Sequence, residues 1–221
     1  MFKTVMYKQI SLWDTPENSD PTEEQSQPTV ESLLMPDGDV LLYRTLFDEK
    51  ESNQLLNELY NNTKWNQESI KLYGKLVPIP RQTAWYGDSG KLYTYSKIAM
   101  TPEPWTPTLL VIKSKIEVLS GVQFNSVLLN LYRNGNDSVA WHSDDESELG
   151  ENPVIGSVSF GGTRRFMFRH KSKKELKREV NLTHGSFLLM KGATQHFWQH
   201  QIPKTTKKIE PRINLTFRII T

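Results

Sequence analysis

The segment RINLTFR, residues 212–218, alternates polar and apolar side chains with a period of two, as an extended strand does. One face carries only polar side chains, namely Arg212, Asn214, Thr216 and Arg218. The other face carries Ile213, Leu215 and Phe217. A solvent-exposed polar face would explain this pattern. Because apolar Ile219 and Ile220 follow directly, we favour a polar face that points inward, where buried polar groups need partners.

Four further segments have the length and composition of strands. They are SVLLNLYR (126–133), VIGSVSF (154–160), RRFMFRH (164–170) and HGSFLLMKG (184–192). In the first of them Asn130 and Tyr132 lie on one face, so a second strand offers a pair of polar side chains. Many short strands separated by turn residues indicate a sandwich or barrel.

Two helices are predicted beside these strands. The acceptor Asp48 followed three residues later by Glu51 has the form of a capping box, and leucines at helical spacing extend it to a helix over about 48–61. Thr106-Pro107 starts a second helix that ends at Gly121. The sequence therefore predicts an α+β fold, in which two helices buttress a double-sheet β core.

The N-terminal region differs from the rest in composition. Residues 14–29 contain no aliphatic or aromatic side chain, so we expect residues 1–30 to form a flexible acidic segment and residues 31–221 to form the folded domain. Residues 1–30 hold two lysines and five carboxylates, a net charge of −3, which leaves +5 for the domain. A mildly basic domain permits nucleic-acid binding without establishing it.

Several classes of protein are excluded by composition. No run of about 18 apolar residues is present, so no membrane span is expected, and the first 13 residues are too mixed for a signal peptide. The absence of cysteine excludes disulfides, thiolate metal sites and thiol nucleophiles, and fits a reducing cytoplasm. Any metal must therefore be held by histidine and carboxylate.

The segment NLYRNGNDSVAWHSDDE, residues 130–146, offers such ligands. His142 and Asp144 share a side of an extended chain, and a distant histidine completes the set that holds non-haem Fe(II) on one face. We prefer His196 because Phe197 and Trp198 follow it, while His200 is the competing choice. A lone His-x-Asp pair is also common on protein surfaces.

A polar cavity beside such a metal would suit an anion. Two guanidinium groups fixed on one strand face, Arg212 and Arg218, match a dicarboxylate that is bound bidentately. Asn130 and Tyr132 add polar groups from a second strand.

Taken in order, these motifs resemble those of the AlkB family of Fe(II)- and 2-oxoglutarate-dependent dioxygenases, most closely its duplex-DNA repair branch. The motifs are NLYRNGNDSVAWHSDDE, VIGSVSFGGTRRFMFRHK, HGSFLLMKG, TQHFWQH and PRINLTFR, and the resemblance covers about residues 70–221. It implies a double-stranded β-helix, or jelly roll. It also implies a monomeric enzyme, cytoplasmic in a bacterium or nuclear in a eukaryote.

The resemblance also implies roles for individual residues. The iron ligands are His142, Asp144 and His196. The 2-oxoglutarate site comprises Asn130, Tyr132, Arg212, Asn214, Thr216 and Arg218. The implied reaction oxidises N1-methyladenine and N3-methylcytosine in DNA, with RNA as a lesser substrate. It consumes 2-oxoglutarate and O2, and it releases formaldehyde, succinate and CO2.

Residues 70–97 resemble the family's nucleotide-recognition lid, which would hold a base flipped out of the stack. The substrate-binding residues that follow from this resemblance are Tyr73, Arg81, Tyr93, Tyr95, Asp145 and Glu146. Tyr73 takes the place of an aromatic finger that is phenylalanine in close relatives. The two acidic residues would favour cationic bases. Ordinary strand packing also explains the tyrosines.

The basic run RRFMFRHKSKKELKR, residues 164–178, holds eight Lys or Arg and one Glu. It is either a solvated hairpin or a rim that contacts phosphates, extended by Lys204, Lys207 and Lys208. Two other functions stay open. One is an Fe(II)/2-oxoglutarate hydroxylase of a protein, lipid or small molecule, and the other is a non-catalytic β-barrel binding module.

Overall fold

A computed structural model describes residues 29–72, 74–90, 93–95, 98–100 and 102–221. The side chains of Leu72 and of residues 93–95 and 98–100 are outside this description. The flexible acidic segment expected over 1–30 falls almost wholly outside the described residues. Within them, no helix is both long enough and apolar enough to cross a membrane.

Fifteen strands and three α-helices are formed by the described residues. The strands in the first half are β1 Val30–Ser32, β2 Asp39–Tyr43, β3 Ser69–Leu72, β4 Lys75–Pro78, β5 Gln82–Gly87, β6 Tyr93–Tyr95, β7 Ile98–Met100 and β8 Ser126–Tyr132. The later strands are β9 Val139–His142, β10 Ile155–Gly161, β11 Arg164–His170, β12 Lys177–Leu182, β13 Ser186–Lys191, β14 Trp198–Ile202 and β15 Arg212–Arg218. The helices are α1 Glu49–Asn62, α2 Pro107–Ser120 and the single turn α3 Thr194–Phe197, and a 3-10 turn spans Ser147–Leu149.

Two antiparallel sheets make up the core of the molecule. The larger has seven strands in the order β1-β2-β13-β10-β15-β8-β5, and the smaller has four in the order β12-β11-β14-β9. Two hairpins, β3–β4 and β6–β7, stand apart. From β8 to β15 the chain passes repeatedly from one of these two sheets to the other, which is the jelly-roll arrangement that the sequence predicted.

The outer face of the larger sheet is covered by α1 and α2. A cluster of buried apolar side chains joins them: Leu55, Leu59, Leu109, Ile112, Ile116, Phe124, Val127, Leu129, Leu131, Phe160, Ile213, Leu215 and Phe217. The apolar faces of β8 and β15 therefore point to the helices. Their polar faces must point to the smaller sheet, so all seven residues of β15 are buried.

A second apolar cluster fills one end of the space between the two sheets. Its members include Val40, Leu42, Phe166, Phe168, Leu182, Leu188, Met190, Trp198 and Ile202. The other end of this space is polar and open. The functional residues discussed below lie there.

Both predicted helices begin and end close to the expected residues. Asp48 caps α1 by accepting a hydrogen bond from the backbone N–H of Glu51 at 2.8 Å. The reciprocal half of the capping box is absent, because the Glu51 carboxylate instead accepts from Lys115 Nζ of α2 at 2.7 Å. Gly121 ends α2 with a left-handed φ of 70°, a conformation that glycine adopts without strain.

The turn after β8 carries the chain from the larger sheet to the smaller one. Asp137, which is buried, accepts hydrogen bonds from the backbone N–H and the guanidinium of Arg133 at 2.8–2.9 Å. Arg164, also buried, donates to the carbonyls of Asn134, Asp137 and Pro203. Because this turn positions the start of β9, its hydrogen bonds fix the path of the chain toward His142.

Replacement of Asp137 by Asn tests this turn. The Arg133 guanidinium and backbone N–H hold the pKa of Asp137 below its usual range, although burial opposes them. The Asp137→Asn variant should unfold at lower denaturant concentration, with a loss of about 1–3 kcal/mol at pH 7. A lowered folded-state pKa stabilises the protein above the unfolded pKa of about 3.9, so the difference should shrink as the pH falls below about 4.

The exposed Glu175 supplies the control for that measurement. Glu175→Gln also removes one carboxylate, but outside this turn, and should change stability little at either pH. If the free energy of unfolding differed between Asp137→Asn and wild type as much at pH 3 as at pH 7, the charge of Asp137 would not be the cause of the difference.

Candidate metal centre and cosubstrate cavity

The open end of the space between the sheets is a cavity of about 540 Å³. The larger sheet contributes Asn130, Tyr132, Asn214, Thr216 and Arg218, and the smaller sheet contributes residues of β9 and β14. Three of the four side chains of the inward polar face predicted from the sequence thus line a cavity, and the fourth, Arg212, is buried outside its lining. The alternative of a solvent-exposed face is wrong.

Three potential metal ligands meet in this cavity. One ligand atom from each of His142, Asp144 and His200 lies within 4.8 Å of the other two. His142 and His200 are direct cross-strand partners on β9 and β14, with ring centroids 4.3 Å apart. Asp144 follows the end of β9, and its Oδ1 lies 3.8 Å from His142 Nε2. No other group of three or more His, Asp or Glu side chains with this geometry occurs among the described residues.

The third histidine is His200, and the preference for His196 was wrong. His196 is exposed on the single turn α3, whereas β14 starts only at Trp198. On β14 the side chains of Trp198, His200 and Ile202 alternate inward, so His200 faces the cavity. The apolar walls expected around His196 belong to His200 instead, whose ring stacks on Phe166 at 5.1 Å.

Asp144 remains ionised in spite of its burial. Burial by itself raises the pKa of this carboxyl, but Arg218 and the two histidines outweigh that effect and lower the pKa to about 2. Arg218 Nη2 lies 3.0 Å from Asp144 Oδ1 and reaches it from β15 of the other sheet. The charged form, which is the one that binds metal, is therefore present at neutral pH.

Both imidazoles are also prepared to bind a metal. Burial, together with nearby His142, lowers the pKa of His200 to about 3, so its ring is neutral. His142 Nδ1 lies 2.8 Å from the carbonyl oxygen of Ala140, to which it donates in the matching tautomer. Nε2 is then the free ligand atom of His142.

On the same face of β15, Arg212 is a buried cation. Its Nη2 donates to Ser159 Oγ at 2.9 Å, and its Nε and Nη1 lack a hydrogen-bond partner among the described residues. Burial lowers the pKa of Arg212 to about 10, and Tyr132 partly opposes this shift. The guanidinium remains charged at neutral pH and lies 5.2 Å from the centroid of the Tyr132 ring.

The remaining polar residues of this face are held by one another. Asn214 Nδ2 donates to Ser157 Oγ at 2.9 Å, and Thr216 Oγ1 donates to Asn214 Oδ1 at 3.1 Å. Arg81 Nε donates to Asn130 Oδ1 at 2.7 Å, which orients the Asn130 amide. The serines of β10 that support this network, Ser157 and Ser159, follow the same alternation, which is visible in the segment VIGSVSF.

Of the predicted substrate contacts, only some are described. Tyr73 and the side chains of Tyr93 and Tyr95 lie outside the described residues. Arg81 and Glu146 line the cavity, and Glu146 Oε2 is buried without a hydrogen-bond partner among the described residues. Asp145 is exposed instead and pairs with Lys171 at 2.8 Å.

The basic run divides between the two faces of its strand. Arg164 is buried, as the fold showed, and so does not belong to a rim. Arg165 is exposed, and Arg169 stacks over the Trp141 ring with its guanidinium carbon 4.4 Å from the ring centroid. Beyond this strand, Lys204 lines the cavity.

These residues fit Fe(II) and 2-oxoglutarate on chemical grounds. Two imidazoles and one carboxylate, fixed on one side of a cavity, are the donor set of non-haem Fe(II) oxygenases. The unpartnered Nε and Nη1 of buried Arg212 call for an anionic group, and a carboxylate matches the guanidinium fork.

Metal binding should distinguish the two candidate histidines. We expect wild-type protein to bind one Mn(II) per chain, measured by isothermal titration calorimetry. His200→Ala removes a ligand and should abolish this binding, whereas His196→Ala, which changes an exposed side chain on α3, should retain it. Loss of binding in His196→Ala with retention in His200→Ala would contradict the assignment.

Comparisons with known proteins agree with this site. The sequence matches the 2OG-Fe(II) oxygenase superfamily over residues 39–218. It is 45% identical over 190 residues to human alpha-ketoglutarate-dependent dioxygenase alkB homolog 3, an alignment that covers 82% of this chain and 66% of that protein. It is 38% identical over 189 residues to bovine DNA oxidative demethylase ALKBH2, covering 80% of this chain and 68% of that protein. The chain thus spans about two thirds of the length of these relatives.

The fold also matches a solved structure, that of OsALKBH1, with a TM-score of 0.62. That match covers 86% of this chain and 100% of the other at 14% sequence identity, so it bears on the fold alone. The superfamily match extends over most of the chain, and the relatives named above share the AlkB name. The chain therefore belongs to the AlkB family of 2OG-Fe(II) oxygenases.

Proposed function

We propose that this protein is an Fe(II)- and 2-oxoglutarate-dependent dioxygenase that demethylates N-alkylated bases in nucleic acid. Its main substrates are N1-methyladenine and N3-methylcytosine in DNA, and RNA is a lesser substrate. The observation that carries the proposal is the convergence of His142, Asp144 and His200 with the polar face of β15 in one cavity. The names of the relatives, a dioxygenase and DNA oxidative demethylases, support the same reaction.

In the proposed reaction the methyl carbon on a ring nitrogen is hydroxylated. Fe(II) held by the three ligands, with 2-oxoglutarate and O2, supplies the oxidising chemistry. One oxygen atom of O2 goes to the substrate and the other to succinate, as 2-oxoglutarate loses CO2. The hydroxymethyl group then leaves the ring nitrogen as formaldehyde, and the base regains its original form.

The residues of this chain bind and orient the reactants. Arg218 keeps Asp144 ionised, and the buried Arg212 pairs with the distal carboxylate of 2-oxoglutarate. Arg81 fixes the Asn130 amide beside that site. The apolar cluster at the closed end of the cavity excludes water from it.

At the mouth of the cavity, Glu146 gives a preference for cationic bases. Its buried Oε2 accepts no hydrogen bond from the described residues, so a base that brings a positive charge and N–H donors satisfies it. Methylation at N1 of adenine or N3 of cytosine produces such a base. Asp145 contributes less, because Lys171 already pairs with it.

The direct test incubates oligonucleotides that carry one methylated base with Fe(II), 2-oxoglutarate and O2. Mass spectrometry should show loss of one methyl group, with formaldehyde released in equal amount. Asp144→Ala removes a ligand itself. Its demethylation rate should therefore fall by more than the factor of about 10–100 that is typical when residues around the ligands are changed. His196→Ala should keep the wild-type rate. Equal formaldehyde release by wild type and Asp144→Ala would contradict the proposal.

The same assay distinguishes the proposed function from the two alternatives. Succinate formation that responds to a protein, lipid or metabolite but not to methylated nucleic acid would favour a hydroxylase of another substrate. Failure to bind Fe(II) or Mn(II) would favour a non-catalytic binding module. We also propose that the enzyme acts as a monomer, in the cytoplasm of a bacterium or the nucleus of a eukaryote, and gel filtration tests the first point.

Neutralising lysines of the basic run, together with Lys204 at the cavity, should weaken binding of nucleic acid in a salt-dependent way. Lys174, Lys177 and Lys204 are exposed, and the proposed rim uses them to contact phosphates. Each contact removed by a Lys→Gln change should reduce the slope of log K against log salt by about 1, measured by fluorescence anisotropy. Lys50→Gln on α1, at the helical side of the larger sheet, is the matched control. An unchanged slope in the triple variant would refute the rim.

A further inference from the structure

We propose that Gln195 is a positioning residue of the metal site, which sets the direction of the Asp144 carboxylate by holding its backbone. The proposal rests on the metal-dependent part of the proposed function and not on the substrate. Nothing in the sequence patterns singled out Gln195, because it is adjacent to the exposed His196 on a single helical turn.

The first observation is that the metal-binding carboxylate lies beyond its strand. β9 ends at His142, and two contacts then hold the following two residues. Ser143 Oγ donates to the carbonyl oxygen of Trp198 at 3.0 Å. The backbone N–H of Asp144 donates to Gln195 Oε1, also at 3.0 Å. Just beyond the end of β9, hydrogen bonds to side chains thus take the place of the backbone hydrogen bonds between strands.

The second observation is that Gln195 is itself fixed. Its side chain is fully buried, and its Nε2 lies 3.5 Å from Met190 Sδ. A thioether sulfur accepts a weak hydrogen bond and donates none, so the amide oxygen must be the atom that faces the Asp144 N–H. The preceding Thr194 anchors the turn, because its Oγ1 donates to the carbonyl of Lys191 at 2.6 Å and accepts from the backbone N–H of Asp39 at 2.9 Å.

Two contacts thus hold Asp144, one at its carboxylate and one at its backbone nitrogen. Arg218 holds the carboxylate at 3.0 Å, and Gln195 holds the backbone nitrogen. The Arg218 contact alone would restrain the carboxylate but would leave the backbone of Asp144 without this hydrogen bond. With both, Oδ1 is kept 3.8 Å from His142 Nε2, at a separation that one metal ion can bridge. Changes in such outer contacts weaken metal binding by about 10–100-fold in other sites.

The test compares Mn(II) affinity among variants of this full chain by isothermal titration calorimetry. Gln195→Met keeps the size and the shape of the side chain but removes the acceptor, so Kd should rise about 10–100-fold. Gln195→Glu offers an oxygen acceptor at the same reach and should bind Mn(II) much more tightly than Gln195→Met. His196→Ala, one residue away on the same turn, is the matched control and should keep the wild-type Kd.

Chemical denaturation of the metal-free variants separates positioning from a general structural role. A purely structural role would lower the stability of Gln195→Met but leave the Kd of its folded form unchanged, and that result would overturn the proposal. An equal rise in Kd for His196→Ala would overturn it as well. If Gln195→Met does not fold, Gln195→Asn replaces it, because its oxygen is one methylene too short to reach Asp144. A wild-type Kd in that variant would also reject the proposal.

The proposed substrate and this proposal fail in different ways. A protein that binds Mn(II) with the expected order of affinities but demethylates no nucleic acid would leave the role of Gln195 intact. If the protein demethylates nucleic acid but the Gln195 variants bind Mn(II) with the wild-type Kd, the proposed function stands and the positioning role is rejected.

Discussion

The ion pair between Arg218 and Asp144 is the contact on which the site depends. It joins the last strand of the larger sheet to the end of β9 in the smaller sheet, at a distance of 3.0 Å and with little exposure to solvent. Removing one partner from a buried pair leaves an uncompensated charge, which costs about 3–5 kcal/mol. This contact therefore ties the two sheets together beside the candidate metal ligands.

A jelly roll usually fills the space between its sheets with apolar side chains. Here the end of that space beside the candidate metal ligands is polar, because β8 and β15 turn their polar faces inward. Buried polar groups are tolerated where each finds a partner, and the Ser157–Asn214–Thr216 chain meets that condition. Arg212 is the exception, with two nitrogens unpartnered among the described residues. Such a group is costly in a protein that only needs to fold, and it is useful in one that binds a dicarboxylate.

Much of this could be predicted from sequence, where the pattern is local. The period of two in RINLTFR identified which residues share a face, and three of those four side chains line the cavity. The limits of α1 and α2 followed from Asp48, Thr106 and Gly121, because capping depends on residues three or four apart. The capping box itself was only half formed, since Glu51 found Lys115 on another helix. A partner that is 64 residues away leaves no mark in a local pattern.

The choice between His196 and His200 shows the other limit. In the sequence both come shortly after the predicted strand 184–192 and within two residues of Trp198, so the sequence supports either. The register of β14 against β9 decides, because it pairs His200 with His142 while the α3 turn exposes His196. The sequence by itself thus determined the types of ligand, the inward polar strand and the family. Only the tertiary structure decided which histidine completes the site and that Gln195 holds Asp144, because these contacts depend on how two sheets pack and not on spacing along one strand.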